Sequence, residues 1–527
     1  LFVSAALLAW GPREVYSDWR NLSGIETLGD IYEITEDLSA KAPLWSNLRS
    51  LKARYRRLVG VENSLSVLIL IAFRRKVSLT GSQTNIEIIP FWVDYPFTNE
   101  ASLEHQASAI PLLQKERLSP RFAARLAGCQ FNEESVAIVG CGSLGSKIAH
   151  HLAKSGVPRF LLIDKDRYEP HNAIRHSLVN KTIFGQANKA KLVAESLEPI
   201  GGIYEFEGRD VISLLNEGHS GLNEAKLIID TTASIATREE FTRYKTCFRG
   251  RLARAAFHAA GKASQFLLEG RNRNPRIDDL HGWALDQSEQ DSVLQPLLFN
   301  DDPSYRPHPV GQGCSSLTMN MSDAQASSHS AGMAMQLQSF MSQGMPENGE
   351  VFLSHSDESG IGTKWKRFPL SSTLAFSSDD DDLAGWEVRI LGPVHEFIHK
   401  EASQCPDVET GGPLFGHINA HLKRITVTRS YPPPPDSSYS KGRFILGVEG
   451  LQEKATSLFS RTNGFLSFAG TWHSHPGIPA KPSEVDRASI ESVSARTPGL
   501  PILMLVIGSD GFKSLVHESS LGSEEDP

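Results

Sequence analysis

The stretch that most constrains this chain is Gly464-Phe465-Leu466-Ser467-Phe468-Ala469-Gly470-Thr471-Trp472-His473-Ser474-His475-Pro476-Gly477. Its apolar lead-in, Gly464 to Ala469, reads as a strand. Residues two apart on a strand share a face, so His473 and His475 can point at one ion. Pro476 and Gly477 then turn the chain, and Ser483-Glu484-Val485-Asp486 opens a helical pattern. Asp486 can return to the same point as a third ligand. Two neutral imidazoles and one carboxylate suit Zn2+ and leave a fourth position for water, the layout of a catalytic centre rather than a closed structural one. Ser483-x-x-Asp486 also fits a helix capping box, worth roughly 1 kcal/mol.

The full pattern is His-Ser-His, seven residues, Ser, two residues, Asp, and it resembles the JAMM signature of MPN-domain (JAB) metalloproteases. That family adds a glutamate upstream, on a segment leading into an apolar strand. Glu409-Thr410-Gly411-Gly412-Pro413-Leu414-Phe415-Gly416 looks like that segment. The resemblance implies that His473, His475 and Asp486 hold zinc. It implies that Glu409 is the general base for the attacking water and that Ser483 steadies the tetrahedral oxyanion. Members of the family cleave peptide or isopeptide bonds after the C-terminal glycine of ubiquitin-like proteins.

A second constraint lies upstream. The apolar strand pattern Ser135 to Val139 runs straight into Gly140-Cys141-Gly142-Ser143-Leu144-Gly145, a Gly-x-Gly-x-x-Gly loop, and then a helix pattern to Lys154. Such glycines allow a tight turn and close backbone approach, and the helix N-terminus offers free N–H groups to phosphate. A dehydrogenase shares this motif. Arg159 to Asp164 is a second strand ending in an acid placed to hold a ribose hydroxyl. Asp164-Lys165-Asp166, Asn172-Ala173-Ile174-Arg175-His176 and Gly185-Gln186-Ala187-Asn188-Lys189-Ala190 then separate the options. In order, they resemble the ATP site of the ThiF/MoeB and ubiquitin-activating-enzyme superfamily. The resemblance puts Asp164 on the ribose and Asp166, Asn172, Arg175 and Lys189 around the nucleotide, with the last three on the triphosphate.

Two departures stand out. Leu227 to Ser234 matches the strand where that family reads Asp-x-x-Asp-Asn, but Ala233 and Ser234 replace the last two residues. Asp230 remains as the Mg2+ ligand in this reading, and the magnesium site is in doubt. His176 stands where the family has Gln. Of the five cysteines (129, 141, 247, 314 and 405), Cys314 lies in a flexible segment after a long polar connection and before a helix pattern. That is where activating enzymes carry their thioester cysteine, and a cysteine near a helix start can have a lowered pKa.

The remaining sequence bounds the organisation. Five widely spaced cysteines suit a reducing, cytoplasmic compartment rather than a disulfide framework. The net charge of −8 gives no reason to expect nucleic acid. The apolar opening, Leu1 to Trp10, is too short for a membrane span and lacks a basic start, so neither a signal peptide nor a membrane protein is expected. Because the chain opens at Leu1 and not Met, a preceding piece is expected. Leu44 to Leu58 reads as a basic amphipathic helix, Ser66 to Phe73 and Asn85 to Val93 as strands, and Leu112 to Ala127 as a helical lead-in. Ser371 to Leu383, with four consecutive aspartates, reads as an acidic linker. The expected class is α/β. Residues 1–130 form an unassigned α+β segment and residues 131–370 a Rossmann-like ThiF domain with a mainly parallel sheet. An acidic linker covers 371–385, and an α/β JAB/MPN domain covers 386–527.

Taken together, the resemblances imply an enzyme that adenylates the C-terminus of a ubiquitin-like protein with ATP and cleaves bonds after that C-terminus. Such fusions look like those of bacterial ubiquitin-like conjugation systems, some tied to antiviral defence. The implied partners are a ubiquitin-like protein with a flexible C-terminus, a conjugating-enzyme-like protein and a second copy in a homodimer. Two alternatives stay open: sulfur-carrier activation with precursor processing, and a peptidase carrying a degenerate nucleotide-binding module.

Overall fold

The computed structural model describes residues 5–15, 22–58, 64–78, 84–113, 117–179, 185–243, 248–300, 302–310, 317–495 and 499–519. The chain divides into two compact units, Leu1–Gly128 and Cys129–Pro527. The first is built on a four-stranded sheet in the order Ala5–Val15, Ser64–Arg75, Ile86–Pro96, Ala109–Pro111. The apolar opening residues thus supply a strand, paired in parallel with its neighbour; the other pairings are antiparallel. Alternation puts Val67, Ile69, Ile71, Phe91 and Val93 in one core with Leu28, Ile31, Leu44 and Leu48 of the helices Leu28–Asp37 and Lys41–Leu58. The expected helical lead-in is shorter than its composition suggested. Its described helix is Pro120–Leu126, started by a Ser119 cap with proline in the first turn.

The second unit contains two large sheets. The first has eight strands, in the order Thr363–Leu370, Gly349–Ser356, Ala263–Leu268, Arg251–His258, Leu227–Asp230, Ser135–Val139, Arg159–Ile163, Ile203–Glu207. The last five are mutually parallel and the first three run antiparallel. Strand order reverses between Ser135–Val139 and Leu227–Asp230, the crevice where open α/β sheets bind ligands. The second sheet has seven strands, in the order Leu374–Phe376, Glu387–Ile390, Arg424–Ser430, Gly411–Asn419, Ser467–Ser474, Pro501–Gly508, Gly511–Glu518.

One continuous apolar core runs from Ala137, Ile228 and Leu267 in the first sheet to Ile425, Leu414 and Leu505 in the second. The helix Ile277–Glu289 lies between them and contributes Ile277, Leu280 and Ala284 to that core. It approaches the strand Arg424–Ser430 so closely that a Cβ on Gly282 would lie 3.3 Å from the Thr428 methyl. Its acidic face is matched by arginines of the second sheet. Asp279 takes a two-pronged bond from Arg389 (Nε to Oδ1, 2.6 Å), and Asp278 pairs with Arg424 at 2.6 Å. Asp286 pairs with Arg429 at 2.8 Å, and Glu289 with Arg429 at 3.0 Å and Arg461 at 3.2 Å. Burial alone would raise the pKa of Asp278; Arg424, Arg276 and Arg389 outweigh it and hold the carboxyl well below the usual range.

Residues 371–385, which composition assigned to a linker, are built into the second sheet. Leu374–Phe376 is its edge strand, and Leu383 and Trp386 are buried. The aspartates are tied down in turn: Lys513 reaches Asp380 at 2.6 Å and Arg487 reaches Asp382 at 2.9 Å. An acidic run reads as solvated from sequence because its basic partners are more than a hundred residues away.

Removing one partner of a buried, hydrogen-bonded pair leaves a charge without a counterion. Arg389→Met should therefore destabilise this unit by about 3 kcal/mol, since Asp279 stays behind fully buried. Urea unfolding of the variant should show a clearly lowered midpoint; an unchanged midpoint would mean the pair contributes nothing.

Candidate functional site

Antiparallel pairing of Gly411–Asn419 with Ser467–Ser474 sets Gly411 opposite His473. Glu409 sits just ahead of the first strand. Its neighbour Thr410 is clamped to the histidine strand, donating its N–H to Ser474 Oγ (3.0 Å) and accepting the Ser474 N–H (2.7 Å). His475 leaves the strand but donates its N–H to Ile507 of the next one (2.7 Å). The Glu409 N–H bonds to Ser440 O in the hairpin of Ser438–Ser440 and Arg443–Ile445. That hairpin forms a wall of the site, with Phe444 packed so near Gly411 that a Cβ there would lie 2.5 Å from its ring. Glu409, His473 and His475 are each 7% exposed.

Asp486 completes the cluster from the first turn of the helix Glu484–Ser494. His473 Nε2 lies 3.1 Å from His475 Nε2 and 3.3 Å from Asp486 Oδ1; His475 Nε2 lies 3.8 Å from Asp486 Oδ2. Metal–ligand bonds of about 2.0–2.1 Å in a tetrahedron put ligand atoms about 3.3 Å apart, so the three atoms have the spacing zinc needs. His475 Nδ1 is buried with no hydrogen-bond partner. Among the described residues, this is the one cluster of three or more His, Cys, Asp or Glu side chains whose ligand atoms converge.

Electrostatics separates the two carboxylates. Burial raises the pKa of Glu409, with the two imidazoles opposing. Burial would also raise Asp486, but the His473 contact and the Ser483 donors outweigh it and hold its pKa well below the usual range. Ser483 forms the expected capping box. Its hydroxyl accepts the Asp486 N–H (3.2 Å) and donates to Asp486 Oδ2 (2.7 Å), which fixes the carboxylate toward the histidines.

In the first sheet the glycine loop is formed as its sequence requires. Gly140 has φ 91°, and a Cβ on Gly145 would lie 1.9 Å from Gly140 O, so both positions need glycine. A Cβ on Gly142, the N-cap of the helix Ser143–Lys154, would meet nothing within 4 Å. That open side above unpaired first-turn N–H groups is the space a nucleotide phosphate fits. Asp164 accepts the N–H groups of Cys141 (2.7 Å) and Asp166 (2.8 Å), and burial raises its pKa with Lys189 opposing. Asp166 is exposed and pairs with Lys189 at 3.2 Å.

Other expected nucleotide residues have partners within the chain. Asn172 Oδ1 accepts the Glu169 N–H (2.8 Å). Arg175 donates to Met319 O (2.7 Å) and to Thr318 Oγ1, gripping the segment that leads into the helix Asp323–Gln343. Lys147, which sequence reasoning passed over, grips Asp323 at 2.6 Å. His176 is buried and neutral, its pKa pushed down to about 4 by burial; Nε2–H donates to Cys141 O (2.8 Å) and Nδ1 accepts the Leu178 N–H (3.1 Å). It braces the back of the glycine loop. Asp230 is 1% exposed and ion-paired to Arg254, a partner no local motif signals. Its oxygens accept from Arg254 and from the N–H and hydroxyl of Thr232, which engages most of its acceptor capacity. Cys141 is sealed in, and burial pushes its thiol pKa well up, which removes it as a nucleophile. Cys314 and Cys247 lie outside the described residues. No helix among those residues is long and apolar enough to cross a membrane.

Comparison with known proteins matches two stretches of this unit. Residues 124–260 match the ThiF family, and residues 392–517 match prokaryotic homologs of the JAB domain. The chain thus joins a ThiF domain to a JAB domain. Over 102 residues it is 31% identical to the CD-NTase/cGAS isopeptidase of Escherichia coli, covering 19% of this chain and 62% of that protein. Over 83 residues it is 32% identical to the ATP-dependent ubiquitin transferase-like protein Cap2 of Vibrio cholerae, covering 15% and 14%. Among solved structures, E. coli MccB with succinimide aligns over 45% of this chain and 65% of its own, at 16% identity and a TM-score of 0.33. The chain therefore spans less than two thirds of each of these relatives.

The donor set predicts one zinc ion per chain. His473→Ala and Asp486→Ala should each lower affinity for zinc by at least about tenfold, while Glu409→Gln, outside the donor set, should keep full occupancy. Elemental analysis of the purified variants reads this directly, and full zinc in Asp486→Ala would remove Asp486 from the ligand set.

Proposed function

We propose that this chain activates the C-terminus of a ubiquitin-like protein with ATP and also hydrolyses the bond that follows that C-terminus in precursors or conjugates. One observation carries the reading: Glu409 lies beside the converging His473, His475 and Asp486, in the same compact unit as a ThiF domain with an open glycine loop.

In the hydrolytic step, His473, His475 and Asp486 hold the zinc ion, which when bound polarises the scissile carbonyl and lowers the pKa of water to about 7. Glu409 takes a proton from the attacking water and delivers it to the leaving amine; its raised pKa suits both transfers. Ser483 steadies the oxyanion with its hydroxyl, exchanging the bond it donates to Asp486 Oδ2 for one to the oxyanion, while it still accepts the Asp486 N–H. The products are the freed C-terminal carboxylate and the amine. The hairpin wall over Glu409 limits access to a thin, extended substrate such as a flexible C-terminal tail.

In the activating step, the C-terminal carboxylate displaces pyrophosphate from ATP and forms an acyl-adenylate. Asp164 holds the ribose, and Lys189 and Arg175 the phosphates. Arg175 must then exchange its bonds to Thr318 and Met319 for phosphate oxygens. The Cys314 thiolate attacks the adenylate, releasing AMP and leaving a thioester. Residues 1–128 contain no cysteine, so within this sequence a thioester has to form in the second unit. The names of the E. coli and Vibrio relatives place isopeptidase and ubiquitin-transferase-like chemistry on two proteins. Here both domains share one chain, and a CD-NTase is the first acceptor to test. Magnesium accompanies the nucleotide, and a homodimer through the ThiF domain is the expected assembly. The engaged Asp230 favours one second reading, in which the ThiF domain binds nucleotide without catalysis and only the peptidase acts.

ATP–pyrophosphate exchange in the presence of the ubiquitin-like partner decides between these readings, since a non-catalytic module gives none. Glu409→Gln should cut cleavage of a ubiquitin-like fusion by roughly 10²–10⁴-fold with exchange intact. Cys314→Ala should lose any hydroxylamine-labile adduct yet cleave normally. Full cleavage by Glu409→Gln would refute the proposed base.

A further inference from the structure

Resting on the proposed nucleotide-binding role of the glycine loop, we propose that Arg254 is the fixed cation of that site. Nucleotide then binds there without a divalent ion held by the protein. Asp230 ends its strand opposite Val139, which immediately precedes Gly140, so its carboxylate lies at the root of the loop. On its other side it stands in register with Arg254 of the strand Arg251–His258, and the two side chains form an ion pair. Both are buried, at 1% and 7% exposure.

A divalent cation such as Mg2+ needs free oxygen lone pairs and near-octahedral space, with several waters retained. Asp230 offers little of either. Oδ1 accepts the Thr232 N–H at 2.9 Å and the Thr232 hydroxyl at 2.7 Å, and Oδ2 is taken by Arg254. Asp164 is partly engaged, each oxygen accepting one backbone N–H, and its remaining lone pairs serve the ribose in the proposed reading. Asp166 points to Lys189. Ala233, in a left-handed conformation with φ 56°, brings only a methyl group to the adjoining turn. Among the described residues, the one group of three or more ligand side chains that converge lies on the other sheet.

A carboxylate beneath a phosphate pocket repels the ligand unless a cation offsets it. In this chain the offset is permanent and comes from the guanidinium. Arg238, on the helix Ile235–Arg243, adds a second cation near the pair; burial pushes its pKa down to about 10, with the Arg254 charge acting in the same direction. The N-terminal dipole of Ser143–Lys154 completes a field that favours the free nucleotide polyanion. Arg254 is a positioning residue here. It neutralises Asp230 and, through a 3.4 Å bond to Ser234 O, shapes the turn after it.

The test titrates the zinc-loaded full chain calorimetrically with the non-hydrolysable analogue AMP-PNP, in magnesium-free buffer and again with MgCl2. The expected result is a change in Kd of less than about fivefold. Tightening by magnesium beyond that would mean the protein recruits the ion, and would overturn the inference while leaving a nucleotide site. Absence of binding in both buffers would overturn the nucleotide-site reading itself and this inference with it. Arg254→Met uncovers the Asp230 charge, so its affinity without magnesium should fall by more than about tenfold and recover in part when the ion is added. An equal loss in both buffers would assign Arg254 a purely structural role and overturn its part in binding. Should that variant not fold, the two titrations of the unaltered chain still decide whether a protein-held ion is needed.

Discussion

The pairing of Gly411–Asn419 with Ser467–Ser474 is the interaction on which the peptidase-like half depends. Neither segment carries the site alone. One carries His473 and leads to His475, and the other is preceded by Glu409. Their antiparallel register sets Gly411 against His473, and the reciprocal bonds of Thr410 with Ser474 lock the last rung. A slip of one residue would turn the histidines to the opposite face of the sheet. The flanking strand Pro501–Gly508 reinforces the register through the bond from His475 N–H to Ile507 O. Glu409, His473 and His475 are thus tied down by strand pairing or by backbone hydrogen bonds next to it, and Asp486 reaches them from the helix Glu484–Ser494.

A different force joins this sheet to the nucleotide-loop sheet. The helix Ile277–Glu289 buries Ile277, Leu280 and Ala284 on its apolar side and offers Asp278, Asp279, Asp286 and Glu289 to arginines of the second sheet. Hydrophobic burial supplies attraction without direction, whereas two-pronged arginine–carboxylate bonds fix orientation. The charged groups are desolvated, so the ladder contributes more to uniqueness of docking than to net stability. Its consequence is functional: two domains with separate chemistries form one compact unit, although their motifs lie more than two hundred residues apart.

Around the glycine loop the chain already supplies partners for most of its own charged groups. Arg175 and Lys147 hold the entrance to the helix Asp323–Gln343, Lys189 holds Asp166, and Arg254 holds Asp230. A phosphate-bearing ligand competes with the exposed contacts, which are weak, and leaves the buried pair intact, because breaking it would strand a charge. In the proposed reading, Arg175 connects nucleotide binding to the segment that leads into the helix Asp323–Gln343, while Arg254 belongs to the permanent architecture.

Much of this was legible from the sequence. Periodicity and glycine spacing located the strand–loop–helix at Ser135–Lys154 and the histidine strand, because a two-residue repeat and a backbone that excludes Cβ are local requirements. Chemistry at fixed spacing pointed to His473, His475 and Asp486 as a converging group, since residue type and a short turn suffice to bring them together. Pairing across long separations was not legible. The aspartates at 379–382 read as a solvated linker because Lys513 and Arg487 are distant in the chain. The ion pair of Asp230 with Arg254 was not legible because the two are neighbours only across the sheet. The sequence by itself determined which local elements form and which chemistries they can carry. The tertiary structure alone decided which of those groups are already neutralised by a partner and which remain free to meet a ligand, because electrostatic energy depends on distance in space and on burial, and neither is encoded by order along the chain.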